Sequence, residues 1–222
     1  MNQLDRLNKD FTLFAKDKGV NKSYLEDYQK SFNRLYTPYI LEERQLHASP
    51  LDLFSRLLYD RIMFFNGEVD DDSCGVAIAQ LLYLNSLGNQ DISIYINSPG
   101  GQVISGMAFI DSLNFINCDV STLCLGMCAS MGAVILSNGT KGKRYVLPHS
   151  RVMIHQVSTR MGGTFSDIKI GFEQLDRTKQ DLYEILAKNM GKTVEEVEVL
   201  CDRDNWFIGQ EAVDLGIVDS VI

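Results

Sequence analysis

From about residue 50 to the end, apolar runs of period two trade places with runs of helical period, and this alternation constrains the fold more than any other feature. Arg61-Ile62-Met63-Phe64-Phe65 reads as a strand, as do the alternating Ile92, Ile94 and Ile96. Leu51–Leu58 reads as a helix, and Val76–Leu87 as another stopped by Gly88. Gly101–Ile116 carries Val103, Met107, Ile110 and Leu113 on one helical face. A strand over Val120–Leu125 leads into a helix over Ala129–Leu136, ended by Asn138-Gly139. Arg144–Leu147 and Val152–Gln156 are strands around Pro148, and Gly216–Ile222 closes as a strand. Strands spaced by helices imply βαβ units and a mainly parallel sheet. A chain of 222 residues holds one medium α/β domain with a real core.

Two segments break the rhythm. In residues 1–36, Leu4, Leu7, Phe11 and Phe14, then Leu25, Tyr28, Phe32 and Leu35, mark two short amphipathic helices. This arm holds seven Lys/Arg against five Asp/Glu, so it is +2 and the rest of a −8 chain is −10. It reads as an arm packed on its own domain, a propeptide or a partner contact, with residues 37–222 as the main domain. The second segment opens with the capping pattern Thr164-Phe165-Ser166-Asp167 and runs to Met190-Gly191. Such a helix is a rod of about 40 Å. One domain of this size does not cover it, so part of it is expected to project onto another subunit.

Composition excludes several classes. The −8 charge argues against a dedicated nucleic-acid binder. Cys74, Cys118, Cys124, Cys128 and Cys201 form no CxxC pair with metal-ligand spacing and read as reduced thiols, so a cytoplasmic location with no metal is expected. No stretch approaches the roughly 18 continuous apolar residues of a membrane span. No GxxxxGK[ST] phosphate loop occurs, so the chain itself is not expected to hydrolyse ATP.

The chemistry gathers around Ser130 in Gly126-Met127-Cys128-Ala129-Ser130-Met131-Gly132-Ala133. Ser130 sits at a strand-to-helix turn, where free amides favour developing negative charge. Gly126, Ala129, Gly132 and Ala133 leave room for a substrate backbone, the logic of a nucleophile elbow without its GxSxG text. Asn97-Ser98-Pro99-Gly100-Gly101 follows another strand and is able to point an amide into the same cleft. Parallel sheets carry their sites at the carboxyl ends of strands, where both turns lie. A serine hydroxyl needs a base, and the base an orienting acid. Of His47, His149 and His155, only His155 ends an apolar strand and aims at the mouth of the sheet. Asp167, Asp202, Asp204 and Asp219 all stay open as the acid.

The stretches YINSPGG, GMCASMGA, KGKRYVLPHSRVMIHQ and CDRDNWFIGQEAVDLGIVD resemble the proteolytic subunits of the Clp proteases, in the right order over roughly three quarters of the chain. The resemblance implies a ClpP/crotonase-like α/β fold of repeated ββα units, with the long helix as a projecting handle. It implies a serine endopeptidase whose catalytic residues fall on Ser130, His155 and Asp204, and whose oxyanion-hole amides fall on Gly101 and Met131. It further implies two stacked seven-membered rings enclosing a chamber, with Arg203 at a ring-to-ring salt bridge and Gln156–Gly163 as a strand joining rings. Unfolded protein substrates are then fed by a hexameric AAA+ unfoldase of ClpX or ClpA/ClpC type, which spends the ATP; alone, the chain is expected to cut only short peptides. Cys128 replaces a frequent alanine and, two residues from Ser130, offers a thiol whose alkylation would block the cleft. Ser93 replaces a frequent aromatic of the unfoldase docking pocket, whereas Tyr95 fits. The alternatives are an acyl-CoA hydratase or isomerase of the same fold, which uses a glutamate, and a catalytically silent ring subunit.

Overall fold

The computed structural model describes residues 39–44, 47–159 and 161–222. These belong to two compact units divided between Arg56 and Leu57. The 1–36 arm, with its two expected helices, lies outside the described residues. In the first unit, β1 (Tyr39–Arg44) pairs antiparallel with β2 (His47–Asp52), Tyr39 opposite Asp52 and Arg44 opposite His47. This hairpin was not legible in the sequence. The helix expected from Leu51 starts instead as α1 (Leu53–Tyr59). Asp52 ends β2 and caps it, its Oδ1 accepting from the Ser55 amide at 3.1 Å.

In the second unit, β3 (Ile62–Asn66), β4 (Ile92–Ser98), β5 (Val120–Ala129), β6 (Arg144–Val146) and β9 (Ser220–Val221) form one parallel run. β4 shows why: Ile92, Ile94, Ile96 and Ser98 are buried at every second position. β5 is ten residues long and serves two neighbours on one edge. Thr122–Cys124 pairs with β6, and Met127–Ala129 pairs with β7 (Arg151–Ile154). Between the two sets β5 bulges. Ile96 faces Cys124, yet Ser98 faces Cys128. Gly126 takes φ +80° in the bulge. The Gly126 amide donates to Ser150 Oγ at 2.8 Å and the Met127 amide to Asn97 Oδ1 at 3.2 Å. The strand expected to stop at Leu125 therefore kinks and continues to Ala129. β8 (Asn205–Ile208), which the sequence did not reveal, runs antiparallel to β7.

α2 (Asp71–Ser86) starts five residues before the expected Val76, because Asp70 and Ser73 form a capping box and Asp71 and Asp72 suit the first turn. It buries Cys74, Ala77, Leu81 and Leu84. α3 (Val103–Phe115) buries Phe109, Ile110 and Leu113, and every residue of α4 (Met131–Ser137) is buried. Each fully buried Ile, Leu or Phe side chain contributes about 1.5–3 kcal/mol. α5 (Phe165–Met190) is the expected rod, 26 residues long. Thr164 and Asp167 cap its start, and Gly191 ends it at φ +68°. Only its C-terminal part packs down, through Leu182, Tyr183, Leu186, Ala187 and Met190. Its first half projects, with Phe165 83% exposed and Phe172 62% exposed. α6 (Val194–Leu200) and α7 (Gln210–Leu215) follow. β9 is shorter than the expected Gly216–Ile222, since Gly216 at φ +89° is still ending α7. Residues 156–159 and 161–163 form no strand in the single chain, which offers them no partner edge among the described residues. No described helix is long and apolar enough to cross a membrane.

Candidate active site

Four chain segments meet at one end of the sheet. β4 runs out into Ser98-Pro99-Gly100-Gly101, β5 into Ser130 and β7 into His155. All three are carboxyl ends of mutually parallel strands. Asp204 arrives from the opposite direction. Because β8 is antiparallel to β7 with Ile154 opposite Asn205, the residue before β8 lies beside the residue after β7. His155 Nε2 stands 2.8 Å from Ser130 Oγ, and His155 Nδ1 stands 3.0 Å from Asp204 Oδ1. With Nδ1–H donating to the carboxylate, Nε2 is left to accept the serine proton. The His155 side chain is 26% exposed and that of Asp204 64% exposed, so the acid end of the relay faces solvent in the single chain.

Ser130 occupies a backbone conformation that L-residues avoid, φ +54° and ψ −124°. Such a conformation costs of order 1–3 kcal/mol and persists only when its surroundings hold it. Here the Ser130 amide donates to Met153 O at 2.8 Å, and its carbonyl accepts from Ala133 N at 2.9 Å. The strand on one side and the buried helix on the other pin the residue between them. Two glycines near it are also required by the protein's own packing. A Cβ on Gly132 would stand 3.0 Å from Ser98 O, and one on Gly100 would stand 2.6 Å from Ala129 O and 2.7 Å from Ser130 Cβ. They let the two turns of the protein's own backbone interlock.

Ser130 and His155 line a cleft together with Gly101 and Met131. Neither the Gly101 nor the Met131 amide donates to an acceptor among the described residues. Val134, Ile154, Leu182, Tyr183 and Leu186 give the cleft an apolar wall. The arrangement has the parts of acyl transfer: a hydroxyl, a base, an acid behind the base, and two open amides.

The other candidates fall elsewhere. Asp167 caps α5. Asp219 grips the buried Arg144, with Oδ1 at 2.7 Å from Nη2 and Oδ2 at 3.0 Å from Nε. Burial works against ionising Asp219, but the Arg144 guanidinium and the amides of Arg144 and Gly142 hold its carboxyl below the ordinary value. Asp202 is held by its carbonyl, which accepts from Gln156 Nε2 at 2.7 Å, and its carboxylate lies 3.7 Å from Arg203. The Arg203 side chain is 88% exposed and sits beside Asp204 in sequence. His149 is exposed on a loop. Cys128 corrects the sequence expectation. It is fully buried with Sγ 3.6 Å from Ile96 O, and burial pushes its thiol well above the ordinary value. Its side chain lies in the core and is not among the residues that line the cleft, so it offers no handle for blocking it. No cluster of three or more His, Cys, Asp or Glu able to hold a metal occurs among the described residues.

The Clp protease family model matches residues 45–222. A relative from Porphyromonas gingivalis, named ATP-dependent Clp protease proteolytic subunit, is 47% identical over 92% of this chain and 92% of its own. One of the same name from Bacteroides fragilis is 47% identical over 96% of this chain and 98% of its own. An ATP-dependent Clp protease proteolytic subunit 2 from Rhodococcus jostii is 48% identical over 77% of this chain and 88% of its own.

Proposed function

Because this chain belongs to the Clp protease family and is a serine endopeptidase, we propose that Ser130, His155 and Asp204 are the triad that cuts its substrates. The continuous relay at 2.8 and 3.0 Å carries this reading. His155 Nε2 takes the hydroxyl proton as Ser130 Oγ attacks the scissile carbonyl carbon. The carbonyl oxygen becomes an oxyanion held by the amides of Gly101 and Met131. His155 then hands its proton to the leaving amine, the C–N bond breaks, and an acyl-Ser130 ester remains. Water, activated by the same imidazole, hydrolyses the ester and restores the hydroxyl. Asp204 keeps the imidazole in the tautomer and orientation that this requires. The apolar wall of Val134, Leu182 and Leu186 suits an aliphatic or aromatic side chain next to the cut bond. Among the described residues no glutamate lines the cleft, so nothing there supplies the acid–base group of the hydratase or isomerase alternative.

Two stacked seven-membered rings form the working assembly in this reading. The exposed apolar residues on the first half of α5 support it, since Phe165, Ile170 and Phe172 need cover that one subunit does not give. Arg203, exposed beside Asp204, reaches the opposite ring and couples assembly to the placing of the acid. Residues 156–159 and 161–163 gain a strand partner at the same contact. A hexameric ATP-driven unfoldase feeds extended chains into the chamber, docking near Tyr95, which stands edge-on to Phe64 with centroids 5.3 Å apart. ATP is spent by that partner, and this chain needs no cofactor of its own. Five free, buried cysteines suit a reducing compartment, and we place the protein in the cytoplasm. Purified Ser130→Ala protein tests the triad. Hydrolysis of a fluorogenic peptide is expected to fall at least 10³-fold with the assembly mass unchanged, and wild-type turnover by this variant would rule out Ser130 as the nucleophile.

A further inference from the structure

The first turn of α3 begins two residues after Gly101 and seats the side chain of Met131, and one residue of α2 holds that turn. On the Gly101 side, the Val69 amide donates to Gly100 O at 2.9 Å and the Gln102 amide donates to Val69 O at 2.7 Å. Val69 and Gly101 thereby form an isolated parallel bridge. A trans peptide points its C=O and its N–H in opposite directions, and no cis bond occurs in the described residues. With the Gly100 carbonyl held by Val69, the Gly101 N–H on the same peptide plane faces away from Val69, toward the cleft that Gly101 lines. A Cβ at Gly101 would stand 2.2 Å from Val69 O, so the bridge forms only with glycine there.

Met131 is tied to the same turn by its side chain. A Cβ on Gly106 would stand 2.4 Å from Met131 Cγ and 2.8 Å from its Cε. Gly106 is thus a notch in α3 that seats the residue carrying the second amide. Between Gly101 and Gly106 lies Ser105, only 6% exposed. Its Oγ donates to Asp71 Oδ1 at 2.5 Å and lies 3.2 Å from Gln102 Oε1. Asp71 opens α2, whose start is fixed by the Asp70–Ser73 capping box, and the capping Asp70 follows Val69 directly in the chain. The same end of α2 therefore holds the bridge to Gly101 and the hydroxyl one position before the Met131 notch.

We propose that Ser105, Asp71 and Gly106 are positioning residues for the oxyanion hole, the Asp71–Ser105 hydrogen bond fixing how the first turn of α3 is rotated and so where both amides point. The proposal rests on reading Gly101 and Met131 as the oxyanion donors. None of the three residues touches substrate. Their effect is on the transition state, where a misdirected amide no longer reaches the developing charge, and not on substrate capture.

The test uses the full-length assembled protein and four variants: Ser105→Ala, Asp71→Ala, Asp71→Asn and Gly106→Ala. The readouts are kcat and KM on a fluorogenic peptide, the second-order rate of fluorophosphonate attack on Ser130, native mass and melting temperature. Ser105→Ala and Asp71→Ala are each expected to lower kcat roughly tenfold, part of the roughly 10²–10³-fold loss from removing an oxyanion donor outright. KM stays within about twofold, and the phosphonylation rate falls in step with kcat. Asp71→Asn keeps a carbonyl acceptor for the Ser105 hydroxyl and recovers most of what Asp71→Ala loses. Gly106→Ala displaces the Met131 side chain and lowers both rates at least as much. The double variant Ser105→Ala/Asp71→Ala is no slower than either single one, because one bond is removed once. A lowered melting temperature with wild-type kcat, a loss confined to KM, a loss that tracks disassembly, or an Asp71→Asn as slow as Asp71→Ala would overturn the proposal. Wild-type protein that fails to label at Ser130 would instead overturn the reading of Ser130 as the nucleophile, and with it the placing of an oxyanion hole at Gly101 and Met131.

Discussion

At the scale of single residues, the site depends on backbone that only particular residues tolerate. Ser130 holds a strained φ because Met153 and α4 grip it, and Gly100, at φ +89°, lies against that elbow without a side chain. Gly100→Ala is expected to lower peptidase kcat at least tenfold and to destabilise the fold by roughly 1–3 kcal/mol, read by kinetics and chemical denaturation; unchanged values would mean that the turn relaxes freely. The Arg144–Asp219 pair lies outside the site and carries stability. Arg144 is 3% exposed and also donates to the Ser137 and Asn189 carbonyls. Asp219→Asn leaves that buried cation without its counter-charge and is expected to cost about 3–5 kcal/mol. The sign of the pH dependence follows from the lowered carboxyl. The pair's contribution is complete above the unfolded value of 3.8 and is lost as pH falls through the lower folded value. Denaturation curves of wild type and Asp219→Asn should therefore converge only below that point; convergence already near neutrality would show that the pair contributes little. Buried Cys128 should resist iodoacetamide in the native protein, and peptidase activity should survive the treatment.

At the scale of elements, the chain announced part of the site and hid the rest for physical reasons. Ser130 and His155 were legible because each follows an apolar strand at a carboxyl end, and Gly100-Gly101 because two glycines after such a strand mark a turn. Asp204 was not separable by pattern from Asp167, Asp202 and Asp219. What selects it is β8, whose four residues Asn205-Trp206-Phe207-Ile208 are too short to announce a strand and are placed by pairing with β7. The kink in β5 was likewise invisible, since a glycine inside an apolar run reads as an end, while Asn97 and Ser150, distant in sequence, hold the bulge. α5 was legible in full, caps included, because a helix of that length with Thr164 and Gly191 at its ends has few other readings. Disrupting the β7–β8 pairing tests the element account. Phe207→Pro, opposite Val152, removes a ladder hydrogen bond. It is expected to abolish turnover by displacing Asp204 while Ser130 and its elbow stay in place.

At the scale of the whole molecule, a relay with its acid 64% exposed and a rod with its apolar half uncovered are both incomplete in one subunit. On the double-ring reading proposed above, Phe172→Asp, on the projecting half of α5, is expected to leave the melting of the core unchanged and to shift the native mass from two rings to one, with peptidase activity falling alongside. Intact double rings in this variant would assign that surface another role. The central claim, that one hydroxyl drawn into a relay by His155 and Asp204 does the cutting, is tested most directly by mass analysis after fluorophosphonate treatment. One adduct per chain, on the peptide containing Ser130 and formed at least a hundredfold more slowly in His155→Ala, is the predicted result. Labelling of another residue, or equal rates with and without the imidazole, would contradict it.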